Sequence, residues 1–328
     1  MIDLRNKIKD IIIRETEAKH FCELDLTTSV ELIQHLLENY EITSNLHQDF
    51  SNLPKDGELI FLVAPTGAGK DSLVIKLNII NPEKKYVELN MDMFRHYFPL
   101  FIKDLNSITD KTFAERTNQF SYEIFMTIQE IILNEFPGTN IIITGTLREI
   151  SWPEQILENY KNSKTTNYKT KIISLAVPKE ESAFSTIKRY AEIIDDQVKR
   201  SDFQKGSTRY TSLAYHDETF ERFAKNLNHF EESFKKYPGK YIDSMEVYRR
   251  SKTITDFKDD NLVYSSEREQ DKNTTALNTV KELREKEYKI DIETANYILD
   301  KIINNIDYLK TQDTFYDVMT NLKTLLNL

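Results

Sequence analysis

A chain of 328 residues with 39% hydrophobic and 11% aromatic side chains can bury one large core or two modest ones, and 7 Gly and 8 Pro among 30% charged residues favour helix over sandwich or barrel. A net charge of −9 excludes a broad nucleic-acid-binding face, and a single cysteine, Cys22, excludes a disulfide framework or a multi-cysteine metal site. No signal-like segment and no apolar run near the ~20 residues of a membrane span stands out, so a cytoplasmic protein that engages neither membrane nor nucleic acid is expected.

Residues 1–56 predict two or three amphipathic helices. Ile2, Ile8, Ile12 and Ile13 recur in the first, and Val30, Leu32, Ile33, Leu36 and Leu37 in a second behind a Thr27–Ser29 cap, before a turn at Asn52–Gly57. An apolar strand from Leu59 to Ala64 then runs into a Gly-bearing turn, and Leu73, Val74 and Leu77 follow at helical spacing. The pattern is strand, phosphate loop, helix. Ala64 through Asp71 match the template G-x-x-x-x-G-K-[ST], which makes Pro65, Thr66, Gly67, Ala68, Gly69, Lys70, Asp71 and Ser72 the candidate nucleotide-binding residues. Gly67 and Gly69 let backbone amides close around an anion, the helix N-terminus adds its dipole, and Lys70 reaches the outer phosphates. Two positions depart from the template. Ala64 replaces the first Gly, and Asp71 replaces the hydroxyl that holds Mg²⁺. A carboxylate can bind Mg²⁺ directly, so Asp71 is the candidate metal ligand, although it also adds negative charge beside a triphosphate. The bland alternative is a Gly-rich turn without a ligand.

A second short strand, Tyr86 to Leu89, places Asn90, Met91 and Asp92 at its carboxyl end, the edge of an open α/β sheet that faces ligands. Asp92 there can accept a hydroxyl proton or hold metal, or it can simply cap a helix; both readings stand at this point. Phe94 and Arg95 follow on the next turn. Residues 110–136 predict a long helix with Phe113, Phe120, Ile124, Ile128, Ile131 and Ile132 on one face, stopped by Pro137 and Gly138. A third, fully apolar strand, Ile141 to Ile143, ends in Thr144, Gly145, Thr146, Leu147 and Arg148. A helix from Pro153 to Lys161, a strand from Lys171 to Val177 and a helix carrying Arg189 come next. The polar stretch 196–210, with Arg209, predicts a mobile loop or lid, or a merely solvated loop. Residues 213–236 return to helix, short strands are expected at Ser244–Arg249 and Leu262–Ser265, and two or three helices after about residue 266.

Taken in chain order, APTGAGKDSL, ELNMDMFRHYFP, IIITGTLRE, AVPKEESAFSTIKRYAEII, GSTRYTSLAYHD and DNLVYSSE resemble the motifs of the zeta toxin family, the kinase toxins of toxin–antitoxin modules, over residues 58–266. The resemblance implies an α/β, P-loop NTPase-like kinase fold, with a mostly parallel central sheet, helices on both faces and extra helices at both ends. It divides the chain into an N-terminal helical segment (1–56), a kinase domain (57–266) and a C-terminal helical extension (267–328). It also implies ATP-dependent phosphorylation of UDP-N-acetylglucosamine at the 3′-hydroxyl of the amino sugar, which blocks peptidoglycan synthesis. ATP and Mg²⁺ are the implied cofactors, a sugar nucleotide the small-molecule substrate, and a small helical antitoxin the partner.

Carried over by position, Lys70 clamps the phosphates, Asp92 is the general base, and Arg189 and Arg209 lie over the transferring phosphoryl group. Asp92, Phe94, Arg95, Thr144, Thr146 and Arg148 line the acceptor. Thr144 stands where the family carries Glu, and Asp71 where it carries a hydroxyl. These departures keep two alternatives open: a kinase of the same fold acting on another sugar nucleotide or small acceptor, and a degenerate nucleotide-binding module whose helical ends bind a partner.

Overall fold

The computed structural model describes residues 54–80, 83–92, 110–200, 210–250, 261–310 and 315–326. The helices expected before residue 54 lie outside the described residues. The elements in order are β1 (Glu58–Val63), α1 (Lys70–Ile80), β2 (Val87–Asn90), α2 (Asp110–Glu135), β3 (Ile141–Gly145), α3 (Ser151–Lys161), β4 (Lys169–Ala176), α4 (Lys179–Arg200), α5 (Leu213–Lys236), β5 (Ser244–Arg249) and β6 (Leu262–Ser265). Helices α6 (Ala276–Arg284), α7 (Ile292–Asn304), the one-turn α8 (Ile306–Leu309) and α9 (Phe315–Leu326) follow. The strands form one sheet in the order β2-β3-β1-β4-β5-β6, parallel except for the antiparallel edge strand β6.

β1 is central because it is apolar on both faces, as a strand covered on two sides must be. Leu59, Phe61 and Val63 pack with Phe125 of α2, Leu157 of α3 and Phe223 and Leu227 of α5, while Ile60 and Leu62 meet Leu73, Val74 and Leu77 of α1. Each such fully buried side chain stabilises by about 1.5–3 kcal/mol. Asn140, fully buried, ties the entry ends of three strands together. Its Oδ1 accepts from the Glu58 amide at 3.0 Å, and its Nδ2 donates to the Lys84 carbonyl at 2.8 Å and to Asp56 at 3.2 Å.

α6 belongs to the same core. Ala276 and Val280 are buried beside the sheet, and the buried Glu231 of α5 accepts from the Ala276 and Leu277 amides at 3.1 and 3.2 Å. A carboxylate at a helix N-terminus satisfies donors that no intrahelical carbonyl reaches and complements the dipole. A separate cluster joins α4, through Phe184, Ile187, Tyr190 and Ile194, to Ile298, Ile302, Leu309, Val318 and Leu322 of α7, α8 and α9.

The loop expected over 196–210 is in part helix, since α4 continues to Arg200. The reason lies at Asp195, which is 4% exposed and occupies an inward position where a periodic pattern looks for an apolar residue. It accepts from Lys199 at 2.7 Å, from Asn305 at 3.0 Å and from Lys301 of α7. An ionic contact thus replaces the expected hydrophobic one. Residues 201–209 lie outside the described residues.

Burial by itself would raise the Asp195 pKa, but the hydrogen bonds from Lys199, Lys301 and Asn305 outweigh it and hold the carboxyl at about 2. Its folded value lies below the unfolded value near 3.8, so its contribution is complete above about pH 4 and fades as the pH falls towards about 2. Asp195→Ala is expected to lower the unfolding free energy by about 1.5–3 kcal/mol at pH 7. In urea titrations the gap between variant and parent should close as the pH approaches 2; a gap unchanged at low pH would remove Asp195 as its cause.

Candidate functional site

The sheet register brings five strand ends to one edge. Val63 lies opposite Gly145 and Ser174, Asn90 opposite Thr144, and Ala176 opposite Arg249. Beyond these ends come, in turn, the glycine loop, Asp92, the Thr146–Arg148 segment, the start of α4 and Arg250. In open parallel sheets this edge is where ligands bind.

The loop between β1 and α1 has left-handed backbone at Gly67 (φ 75°) and Gly69 (φ 93°). A Cβ on Gly67 would lie 2.1 Å from the Ser182 carbonyl oxygen and 2.9 Å from Thr186 Cγ2, so the loop is pressed directly against the first turns of α4. Gly67 is therefore required twice, for its conformation and for that contact. The Ala64 amide donates to the Gly145 carbonyl at 3.2 Å and the Ala68 amide to the Pro65 carbonyl at 3.3 Å, which fixes the loop on the sheet. Lys70, half-buried at the head of α1, folds back and donates from Nζ to the Ala64 carbonyl at 3.3 Å. Burial lowers its pKa; Asp71 pulls the other way, Arg189 adds to the lowering and Asp92 opposes it. Lys70, Asp71, Arg189 and Asp92 thus share one electrostatic neighbourhood. This constellation can hold a polyphosphate on the loop and place a carboxylate beside its end.

Asp92 is exposed in the turn after β2, its amide donating to Asn90 Oδ1 at 3.0 Å. Asp71 and Ser72 are exposed at the start of α1. Glu88 of β2 has its carboxyl pushed up to about 7, first by burial and then by Asp71. A divalent cation held by Asp71 would offset the repulsion that Glu88 feels from it. Mg²⁺ takes oxygen ligands, one or two carboxylates together with substrate phosphates, and Asp71 with Glu88 supplies such a donor set. Among the described residues no group of three or more His, Cys, Asp or Glu gathers as a metal site.

At the end of β3, Thr144 is buried and Thr146 half-buried. Leu147 has φ 52°, which costs a branched residue free energy, and its side chain is fully buried. Asn226 of α5 holds this strained peptide, donating from Nδ2 to the Leu147 carbonyl at 2.9 Å and the Arg148 carbonyl at 3.0 Å. Arg148 donates to the Tyr215 hydroxyl at 2.6 Å and lies 3.8 Å from Glu218. Thr66 Oγ1, Thr144 Oγ1 and Arg148 Nε are buried without a protein partner. Buried polar atoms are normally paired, so three orphans at one sheet edge suit a site that water or a ligand completes.

The start of α4 is braced in turn. Ser182 Oγ lies 2.8 Å from Nε2 of the fully buried His216, and Asp217 pairs with Lys179 at 2.7 Å and Arg284 at 3.1 Å. Burial, reinforced by Arg284, lowers the His216 pKa to about 4, so its imidazole is neutral at pH 7. On the far side of the loop, Arg250 donates to Ser185 Oγ at 2.7 Å and to the Gly67 carbonyl at 3.4 Å, with Glu181 at 3.5 Å.

Among the residues singled out by sequence, Lys70, Asp71, Asp92 and Arg189 come together, and Thr144, Thr146 and Arg148 stand at the adjoining strand end. Phe94, Arg95 and Arg209 lie outside the described residues. Sequence reasoning missed Glu88, Asn226 and Arg250. Glu88 had a signal, since it shares the strand face of Asn90; the other two sit at positions with no local pattern.

The family model described as zeta toxin matches residues 45–263. No curated protein matches the chain. Among solved structures, a chain from the PezAT chromosomal toxin–antitoxin system of Streptococcus pneumoniae is similar in fold, with a TM-score of 0.60 and 20% identity over 85% of this chain and 97% of that one. A chain of an AvrRxo1-ORF1:-ORF2 complex with ATP aligns with a TM-score of 0.48 and 12% identity, over 90% of this chain and 87% of that one.

The pressed loop makes a direct prediction. Gly67→Ala should destabilise the protein by about 2 kcal/mol or more, from the left-handed backbone and the collision with the Ser182 carbonyl, and should abolish polyphosphate binding. Denaturant titration and binding of inorganic tripolyphosphate read the two effects. A variant of parental stability and affinity would contradict the contact.

Proposed function

The chain belongs to the zeta toxin family, and from that premise we propose that it is an ATP-dependent kinase that phosphorylates the 3′-hydroxyl of the amino sugar of UDP-N-acetylglucosamine, as the toxin of a toxin–antitoxin pair. The observation that carries this reading is the glycine loop at the end of β1, with Gly67 and Gly69 in left-handed backbone and Lys70 folded back on it, and with Asp92 after a strand end on the same sheet edge. Phosphoryl transfer asks a protein for positioning and charge stabilisation more than for covalent help, and this group supplies both.

In the proposed reaction the loop amides and Lys70 hold the β- and γ-phosphates. Asp92 takes the proton of the sugar hydroxyl as the new oxygen–γ-phosphorus bond forms, and the bond from γ-phosphorus to the β,γ-bridging oxygen breaks, releasing ADP. Arg189 meets the charge spread over the transferring oxygens, and Arg209 is assigned beside it by resemblance. Asp71, with Glu88 next to it, would hold Mg²⁺, which supplies charge neutralisation on the phosphates. Thr144, Thr146 and Arg148 face the acceptor, with Phe94 and Arg95 assigned there by resemblance. A small helical antitoxin that covers the ATP site is the proposed partner, and the cytoplasm the proposed place of action. Thr144, where the family carries Glu, favours a second reading in which the same machinery phosphorylates another sugar nucleotide.

ATP consumption by the purified protein with UDP-N-acetylglucosamine, beside a panel of other sugar nucleotides, tests the proposal. Turnover on UDP-N-acetylglucosamine supports it, turnover on another member alone moves the function to the second reading, and silence throughout overturns both. Lys70→Ala should lose ATP binding and turnover. Asp92→Asn should lose about 10²–10⁴-fold in turnover while keeping its ATP affinity; normal turnover would remove Asp92 as the base. Asp71→Thr should weaken Mg²⁺ dependence and lower the rate if the carboxylate is a working ligand, and a large gain in rate would show it to be a handicap.

A further inference from the structure

The kinase reading leaves the donor's nucleoside unplaced, and the sheet order limits where it can go. β3 and β2 lie on one side of β1, with Asp92 and Arg148 at their ends, which makes that side the acceptor's. A triphosphate seated on the glycine loop with its γ-phosphate towards Asp92 must lead its nucleoside the other way, over the ends of β4 and β5. Arg250 stands there, immediately after β5.

Its guanidinium is fixed by its edges. Nη1 donates to Ser185 Oγ at 2.7 Å and to the Gly67 carbonyl at 3.4 Å, and Nε lies 3.5 Å from Glu181 Oε1. A Cβ on Gly69 would lie 3.6 Å from Arg250 Nε, so the group reaches across the loop at the glycine before Lys70. The side chain nevertheless remains 34% exposed. Three of the five N–H groups, two on Nη1 and one on Nε, are turned to protein oxygens, which fixes the plane of the guanidinium and leaves a flat face to offer, and a flat cation stacks well on an aromatic ring. A point-like ammonium on a flexible stem would not give the same surface.

Resting on the kinase reading, we propose that Arg250 is the donor-base platform: the purine of the nucleotide stacks on its guanidinium, which α4 and the glycine loop hold in place.

The test compares ATP with inorganic tripolyphosphate, using the full chain and its Arg250→Ala and Arg250→Lys variants in calorimetric titrations. Arg250→Ala should weaken ATP binding about tenfold and leave tripolyphosphate binding within about twofold, because only the base loses its contact. Arg250→Lys should be nearly as weak as Arg250→Ala. Equal losses for both ligands would make Arg250 a phosphate contact or a brace of the loop and overturn the proposal. Rescue by lysine would overturn it in favour of simple charge, and unchanged ATP affinity would overturn it outright. A parent protein that binds tripolyphosphate but not ATP would sink the kinase reading along with it. A parent that binds ATP and phosphorylates no acceptor would sink the kinase reading alone.

Discussion

The Ser182 carbonyl and Gly67 occupy space that no Cβ could share, and the rest of the site is arranged around that contact. It joins the loop after β1 to the helix after β4, two elements more than a hundred residues apart. Ser182 is steadied through His216 and Asp217 by α5, and Asp217 reaches α6 through Arg284. The shape of the loop therefore depends on packing that spans most of the described chain. An anion-binding nest made from a short loop alone would be too pliable to hold a polyphosphate in register.

Charge is handled differently at the two ends of α4. Near the loop, Lys70 is burdened by burial and by Arg189 and is relieved by carboxylates, an arrangement that a bound polyanion would ease further. Near residue 195 the carboxylate is already fully met by Lys199, Lys301 and Asn305. The first leaves a cation only partly offset by its neighbours, and the second is complete as it stands. That contrast separates a candidate site from a structural fastening, although both use buried or half-buried ionic groups.

Much of this was legible in the sequence. The strands, the long helices and the phosphate loop were announced by local signals: continuous apolar runs, helical periodicity and the glycine-lysine spacing. The placement of Lys70 and Asp92 on one sheet edge followed because the carboxyl end of a parallel strand is a fixed place in such folds. The residues that escaped notice share a different property. Asn226 reaches Leu147 and Arg148 across nearly eighty positions, and Arg250 reaches Gly67 across 183. Neither is foreshadowed by its neighbours. The end of α4 was misjudged for a related reason, since Asp195 looks solvent-facing until its partners on α7 are known.

The Glu231 contact bears on the order in which the molecule can be completed. Its buried carboxylate is satisfied by the first amides of α6, so until residues near 276 exist α5 settles against the sheet with that carboxylate short of two hydrogen bonds and met only by Lys235 of its own helix, at 3.8 Å. During synthesis the glycine loop is made some two hundred residues before the segment that completes the bonding of Glu231. At roughly 5–20 residues per second, that interval is on the order of 10–40 s. Over that interval the Glu231 carboxylate has Lys235 beside it but not the amides that complete its hydrogen bonding.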